Sequence, residues 1–198
     1  MPHLILVRHA TPQLEPNTPS HQWALSEEGR WQCVHLARKL NAYNIGAIFT
    51  SPELKAWETA TILAEQWGDA PIKIHPELHE HDRRGVGWVE EGFDARIRTF
   101  FEHPTENVFG NETALQATAR IQKAIAQCWT PNALHDQVIV SHGTVLSLFV
   151  SQVMPHITPF EFWKQLTMPA AIVLDLSSQN DSNLEQVKFN RYFPKLVF

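Results

Sequence analysis

The residues best suited to chemistry stand at the ends of two apolar runs. Leu4-Ile5-Leu6-Val7 stops abruptly at Arg8-His9, and Ala10-Thr11-Pro12 turns the chain. Val138-Ile139-Val140 stops at Ser141-His142-Gly143, and a second apolar segment begins at Thr144. Short apolar runs bounded by turn signals read as strands buried in a parallel sheet. In such sheets, ligands bind beyond the carboxyl ends of the strands. Two histidines at two strand ends can therefore share one pocket. A neutral imidazole can act as a nucleophile or carry a proton. A guanidinium holds an oxyanion through two parallel hydrogen bonds. Taken alone, Arg-His is an ordinary charged pair at a strand end, and the second copy gives it weight.

Leu6-Val7-Arg8-His9 near the start, with Val140-Ser141-His142-Gly143 late in the chain, resembles the histidine phosphatase superfamily, which includes the phosphoglycerate mutases. Three further segments extend the likeness. Leu25-Ser26-Glu27-Glu28-Gly29-Arg30-Trp31-Gln32-Cys33 is similar to the family's Leu-Ser/Thr-x-x-Gly-x-x-Gln-Ala. Ser51-Pro52-Glu53-Leu54-Lys55-Ala56-Trp57-Glu58-Thr59-Ala60 is similar to Ser-x-x-x-Arg-Ala-x-x-Thr-Ala, with Lys55 at the position of a phosphate-binding arginine. Leu78-His79-Glu80 is similar to the Leu-x-Glu that supplies the proton donor, with Glu77 as its nearest competitor. Gly87-Trp88-Val89-Glu90-Glu91-Gly92 loosely resembles Gly-x-Trp-Glu-Gly, with one extra residue. Three departures stand out: Ala10 where glycine is usual, Lys55 for arginine, and Glu15 where the first loop usually has asparagine.

These residues need a scaffold, and the rest of the pattern predicts one. Residues 12–24 hold three prolines and read as a loop on the active side of the sheet, from which His21 and Trp23 could reach the pocket. Ser26 is placed to cap a helix, with Glu27 and Glu28 near the positive end of its dipole. Cys33, Val34, Ala37 and Leu40 follow at helical spacing. Residues 47–50 read as a second strand. Pro52 then suits the first position of a helix running to about Trp67, with Leu54, Trp57, Ala60, Thr61 and Ala64 on one face. Ile72-Lys73-Ile74 is a short third strand. The stretch from Phe93 to Gly110 is less regular and rich in phenylalanine. Asn111 can cap a helix to about Trp129 whose buried face is Ala114, Ala117, Ile121, Ala124, Ile125 and Cys128. Residues 145–153 are apolar on most sides and read as a buried helix. A short helix spans 158–164. Strands at 171–176 and 184–192 flank a polar turn. Alternating strands and helices predict a three-layer α/β/α fold, with a mostly parallel central sheet and antiparallel or edge strands at the C-terminus.

Composition limits the alternatives. With 198 residues, 43% hydrophobic and 19% charged, the chain describes one ordinary globular domain, expected over residues 1–198. The resemblance adds a substrate-covering insertion at about 76–112. A net charge of −5 gives no nucleic-acid footprint. No apolar segment approaches the roughly 20 residues a membrane span needs. Arg8 interrupts the first apolar run too early for a signal peptide. Cys33 and Cys128 read as reduced, buried thiols, which fits a cytoplasmic location. The stretch from His75 to Asp82 carries three histidines and three acids, but its spacing matches no zinc motif, so no metal is expected.

The resemblance implies a metal-independent phosphatase without a cofactor, acting on a small-molecule phosphate ester through a phosphohistidine on His9. Arg8, Lys55, His142 and Gly143 would bind the phosphoryl group, with Arg8 and His142 also serving catalysis. Glu80 would donate the proton to the leaving oxygen, with its carboxyl raised in pKa by desolvation under a cover containing Trp88. Nine acids and four arginines between Pro76 and Glu112 make that cover poorly suited to substrates with several phosphates. Two alternatives stay open: a mutase-like phosphotransferase, and a phospho-ligand binding or regulatory module without turnover. The sequence leaves monomer and homodimer equally open.

Overall fold

Buried strands must pair all their backbone groups, and here that requirement builds one six-stranded sheet. The computed structural model describes residues 2–87, 89, 91–131, 133–175 and 195–197. Its strands are β1 (His3–Arg8), β2 (Ile45–Thr50), β3 (Ile72–Ile74), β4 (Asp136–Ser141), β5 (Ala170–Asp175) and β6 (Lys195–Val197), in the spatial order β3-β2-β4-β1-β5-β6. β1, β2, β3 and β4 run parallel, β5 is antiparallel to β1, and β6 is antiparallel to β5. The helices are α1 (Glu27–Lys39), α2 (Leu54–Gln66), α3 (Phe93–Glu102), α4 (Ala114–Cys128), α5 (Gly143–Val153) and α6 (Pro159–Gln165).

Register decides where the strand ends fall. Arg8 lies opposite Ser141, Thr50 opposite Val140, and Ala170 opposite Arg8. Three parallel strands therefore finish at one edge, and β5 begins there. The sheet is covered on both faces. Leu4, Leu6 and Ile139 pack with residues of α3, α4, α5 and α6. Ile5, Val7, Val138 and Val140 pack with residues of α1 and α2. This is the expected three-layer α/β/α architecture with antiparallel strands at the C-terminal side.

Local signals explain most element boundaries. Ser26 caps α1 by accepting the Gly29 N–H at 3.0 Å. Gly29 has no alternative there, because a Cβ would stand 2.1 Å from the Thr11 carbonyl oxygen. The stripe expected on α4 is buried as read, and Thr118 joins it. The cap of α4 is Thr113 rather than Asn111. Thr113 and Gln116 form a reciprocal capping box, while the Asn111 side chain donates to Asp82 and to the Arg84 carbonyl. The stretch after Phe93 is more regular than expected. Ile97, Phe100 and Phe101 form the buried side of α3, three and four residues apart.

Pro52 precedes the N-cap of α2, Glu53, instead of opening the helix. The face expected on α2 is buried at Ala60 and Ala64 but not at Leu54 and Trp57. Leu54 and Trp57 are each 37% exposed, while Lys55, Ala56, Thr59, Ala60, Leu63 and Ala64 are buried. A lysine and a threonine take the inner face because that face borders the site. The strand expected at 184–192 lies outside the described residues, and β6 is the strand that pairs with β5. Cys33 and Cys128 are buried free thiols, and burial pushes them up to about 11 and about 12. Among the described residues, no helix is long and apolar enough to cross a membrane.

Candidate active site

The shared strand edge brings His9 and His142 together, with ring centroids 5.1 Å apart and planes at 63°. His9 is 6% exposed. Its backbone N–H donates to Ser141, and its Nδ1 lies 2.8 Å from the Ala10 carbonyl oxygen. A carbonyl can only accept, so Nδ1 carries the proton and Nε2 keeps its lone pair. Burial, then the charges of His142 and Lys55, hold the His9 pKa well below the ordinary imidazole range. The ring is neutral at physiological pH.

His142 is fully buried at the N-terminus of α5. Its Nε2 lies 2.7 Å from the Ser51 hydroxyl, which accepts the Glu53 N–H at 3.2 Å and so has its own proton to give. With the Ser51 proton given to Nε2, the imidazole proton stands on Nδ1, which is buried and has no partner among the described residues. Burial and the Lys55 charge push the His142 pKa well down, against the opposing pull of Glu80. Arg8 donates from Nη1 to the Leu166 carbonyl, but its buried Nε has no acceptor among the described residues. Gly143 makes room for this guanidinium, because a Cβ there would lie 2.9 Å from Arg8 Nε.

Lys55 reaches the same place from α2 and is 5% exposed. Its ammonium is ion-paired with Glu53 Oε2 and donates to the Ser20 carbonyl at 2.8 Å, so among the described residues one of its three protons stays free. The sequence reading missed Glu53. Its carboxylate also accepts the Glu80 backbone N–H at 2.9 Å and lies 3.7 Å from His142 Nε2. Burial pushes the Glu53 carboxyl up, and Lys55 with these donors outweighs it, so the group is held below the usual range. The available signal was an acid two residues before Lys55, at the start of the helix.

Glu80 stands on the loop after β3. Its carboxylate accepts the His81 N–H at 2.8 Å and those of Thr144 and Val145 at 3.3 Å each. It thus occupies the positive N-terminal end of α5. Burial pushes Glu80 up, but His142, Arg83 and the His81 N–H together bring it down to about 2. This corrects the expectation of a raised pKa: Glu80 is ionised in the free protein. Trp88, assigned to its cover, lies outside the described residues. Arg120 of α4 holds the loop, donating to the carbonyls of Glu77 at 2.8 Å and His79 at 2.9 Å while bonded to Glu112. Arg120 was also missed, since nothing near Glu80 in sequence announces it. Ser141 donates to the Leu78 carbonyl and ties the loop to β4. Glu77 itself is exposed.

The remaining candidates fall into place around this centre. The Trp23 indole donates to the carbonyls of Glu15 and Thr18 and braces the first loop. His21 is partly buried beside Gln22. Phe100, Phe101 and Phe109 belong to the core, with Phe93 packed against it. Among the described residues no group of three His, Cys, Asp or Glu side chains is placed to hold a metal ion. The centre thus contains two cations, two carboxylates and two neutral imidazoles, and among the described residues Arg8 Nε and His142 Nδ1 are buried without partners.

The family description "Histidine phosphatase superfamily (branch 1)" matches residues 4–189. No curated protein sequence matches. Solved structures share the fold at low identity. A mycobacterial hydrolase is 20% identical with a TM-score of 0.71, over 93% of this chain and 86% of its own. A phosphoserine phosphatase variant from Entamoeba histolytica, in complex with phosphoserine, is 18% identical with a TM-score of 0.69, over 94% and 99%. A mycobacterial glucosyl-3-phosphoglycerate phosphatase is 19% identical with a TM-score of 0.70, over 88% and 93%.

Proposed function

Because the chain belongs to the histidine phosphatase superfamily, we propose that it is a metal-independent phosphomonoesterase working through a phosphohistidine on His9. The observation that carries this reading is the pair of buried polar nitrogens without partners among the described residues, Arg8 Nε and His142 Nδ1, in the centre where the His9 ring lies 5.1 Å from that of His142 and keeps a free lone pair on Nε2. A buried donor without an acceptor is costly, and an oxyanion with several acceptor oxygens relieves both at once. The free proton of Lys55 adds a third donor. Side-chain cations then supply the charge that phosphoryl transfer needs over its equatorial oxygens. The phosphatases of phosphoserine and of glucosyl-3-phosphoglycerate among the structural neighbours favour a small phosphate ester as substrate.

In the first step, His9 Nε2 forms a bond to phosphorus and the bond from phosphorus to the leaving oxygen breaks. Glu80 gives that oxygen a proton. In the second step Glu80 takes a proton from water, the water oxygen bonds to phosphorus, and the N–P bond breaks to regenerate neutral His9. Gly143 keeps the Arg8 guanidinium within reach of the phosphoryl oxygens throughout.

The test is hydrolysis of p-nitrophenyl phosphate with the enzyme quenched during turnover. Denatured protein should carry acid-labile, alkali-stable phosphate, lost in a folded His9→Ala variant, and chelators should leave the rate unchanged. Labelling that persists in His9→Ala would place the nucleophile elsewhere. Transfer to an added alcohol or phosphoglycerate in preference to water would make the protein a mutase instead.

A further inference from the structure

We propose that Arg83 is a second anion-binding point of this site, which holds a carboxylate carried by the leaving group of the substrate. The proposal rests on the phosphomonoesterase reading above.

The arginines between Pro76 and Glu112, together with Arg120, differ in what they already hold. Arg84 is forked onto Asp82, through Nε at 2.9 Å and Nη2 at 2.6 Å. Arg120 is bonded to Glu112 through both Nε and Nη2. Arg98 reaches Glu102 at 3.9 Å and lies 4.0 Å from the Phe160 ring. Arg96 is exposed to solvent. Arg83 is only partly exposed, and among the described residues its side chain has neither a hydrogen bond nor an ion pair, although its backbone carbonyl accepts the Val86 N–H. Asp82, its neighbour, is already taken by Arg84 and Asn111.

Arg83 is nonetheless fixed in place. Its guanidinium lies over two aromatic rings, 5.0 Å from the centre of Phe93 and 5.9 Å from that of Phe109. Stacking uses the faces of a guanidinium and leaves the in-plane N–H fork available. Phe109 in turn meets the ring of His81 edge-on at 5.0 Å, and the His81 N–H is bonded to the Glu80 carboxylate. The aromatic platform therefore leads from Arg83 to the proposed proton donor.

Electrostatics place it on the same side. The Arg83 charge acts on Glu80, His81 and His142, and Arg8 and Lys55 also act on His9. Arg8 and Lys55 are assigned to the phosphoryl group, and Arg83, three residues beyond Glu80 on the same loop, to what departs from it. A single fork matches a carboxylate in both geometry and charge. A second phosphate would bring two charges to a segment with nine acids and four arginines, where the other guanidiniums are committed or in water.

The experiment separates recognition from turnover. Affinities are measured by calorimetry in the His9→Asn background, which cannot form the phosphoenzyme. Two matched pairs serve as probes: 3-phosphoglycerate against glycerol 3-phosphate, and O-phosphoserine against O-phosphoethanolamine. Each pair differs in whether the carboxylate is present. The carboxylate member should bind about 10- to 100-fold more tightly in both pairs, the worth of a charge-assisted hydrogen-bonded contact. Arg83→Gln should bring both ratios to about one, and Arg83→Lys should keep part of the preference. Circular dichroism checks that each variant is folded. Ratios near one in the His9→Asn protein, or ratios that survive Arg83→Gln, would overturn the proposal. Hydrolysis of p-nitrophenyl phosphate by the wild-type protein is scored separately. Its absence would sink the phosphatase reading, whereas hydrolysis with ratios of one would sink only the role of Arg83.

Discussion

Binding a phosphate monoester should draw about half a proton from solution at neutral pH, and most of it should go to Glu80. The perturbation is the dianion itself. Arg8 and Lys55 are balanced by Glu53 and Glu80, and both imidazoles are held neutral. Arg83 adds one positive charge at the edge of the site and already contributes to the low starting pKa of Glu80, so the ligand's two negative charges leave the site net negative. Glu80 begins at about 2. To be half-protonated near pH 7 it must rise by about five units, or about 7 kcal/mol at 1.36 kcal/mol per unit. Two charges at about 5 Å, with an effective dielectric constant of about 20, contribute about 3.3 kcal/mol each. The two figures match, so a bound phosphate ester can itself protonate Glu80, the proton donor proposed above. The assay is calorimetry of an alkyl phosphate with the His9→Asn protein, at pH 7, in buffers of different ionisation enthalpy. The ligand's second pKa is about 6, so it is already a dianion there. The slope against buffer enthalpy counts the protons taken up. The count should be about one half, fall toward zero by pH 9, and fall by more than half in Glu80→Gln. No uptake in the starting protein would refute the reasoning. Undiminished uptake in Glu80→Gln would assign the proton to His142.

Two further outcomes follow from the same charges. Lys55→Met should leave the Glu53 carboxylate buried without its cation and destabilise the fold by about 3–5 kcal/mol; adding Glu53→Gln should recover most of this in urea unfolding. Activity should not recover in the double variant, with kcat/KM still lowered by about 2–4 kcal/mol for want of a phosphate donor. His9 and His142 resist protonation when folded, so the unfolded chain binds more protons below about pH 6.5. Their stabilising contribution is complete above that value and is lost as pH falls, by up to about 2 kcal/mol each at pH 5. Urea unfolding at pH 7 and pH 5 should show a smaller difference in a His9→Asn/His142→Asn protein than in wild type, and an equal difference would mean these rings are protonated in the native state.

The parts of the site that were legible in sequence are those whose position follows from one strand. Leu4 to Val7 and Val138 to Val140 are buried on both faces, so their apolar runs are unbroken and their ends are sharp. Whatever follows such a run falls at the sheet edge, which is how Arg8, His9 and His142 could be named. The face of α4 was legible for a similar reason: one stripe meets one core. Arg120 was not, because its contacts with Glu77, His79 and Glu80 join residues 40 or more positions apart. Nor was the acidity of Glu80. Its place after β3 suggests burial alone, while its pKa also depends on the N–H groups of α5, which enters the chain more than 60 residues later.

The misreading of α2 carries more information than the readings that held. An apolar stripe through Leu54 and Trp57 is the better amphipathic pattern, yet the helix turns those residues outward. Something must offset the lost burial, and it is polar. Thr59 accepts the Ala10 N–H at 3.1 Å and donates to the Lys55 carbonyl at 2.7 Å, linking the residue after His9 to the helix that carries the lysine. Lys55, one turn earlier on the same face, is held by Glu53 and by Ser20. A lysine and a threonine one turn apart on the buried face of a helix are unfavourable as core residues. They become favourable only when a polar centre lies beneath them. Local patterning failed in α2 because the chain gives up packing there to position charge, so the departure from amphipathic order marks the site's boundary.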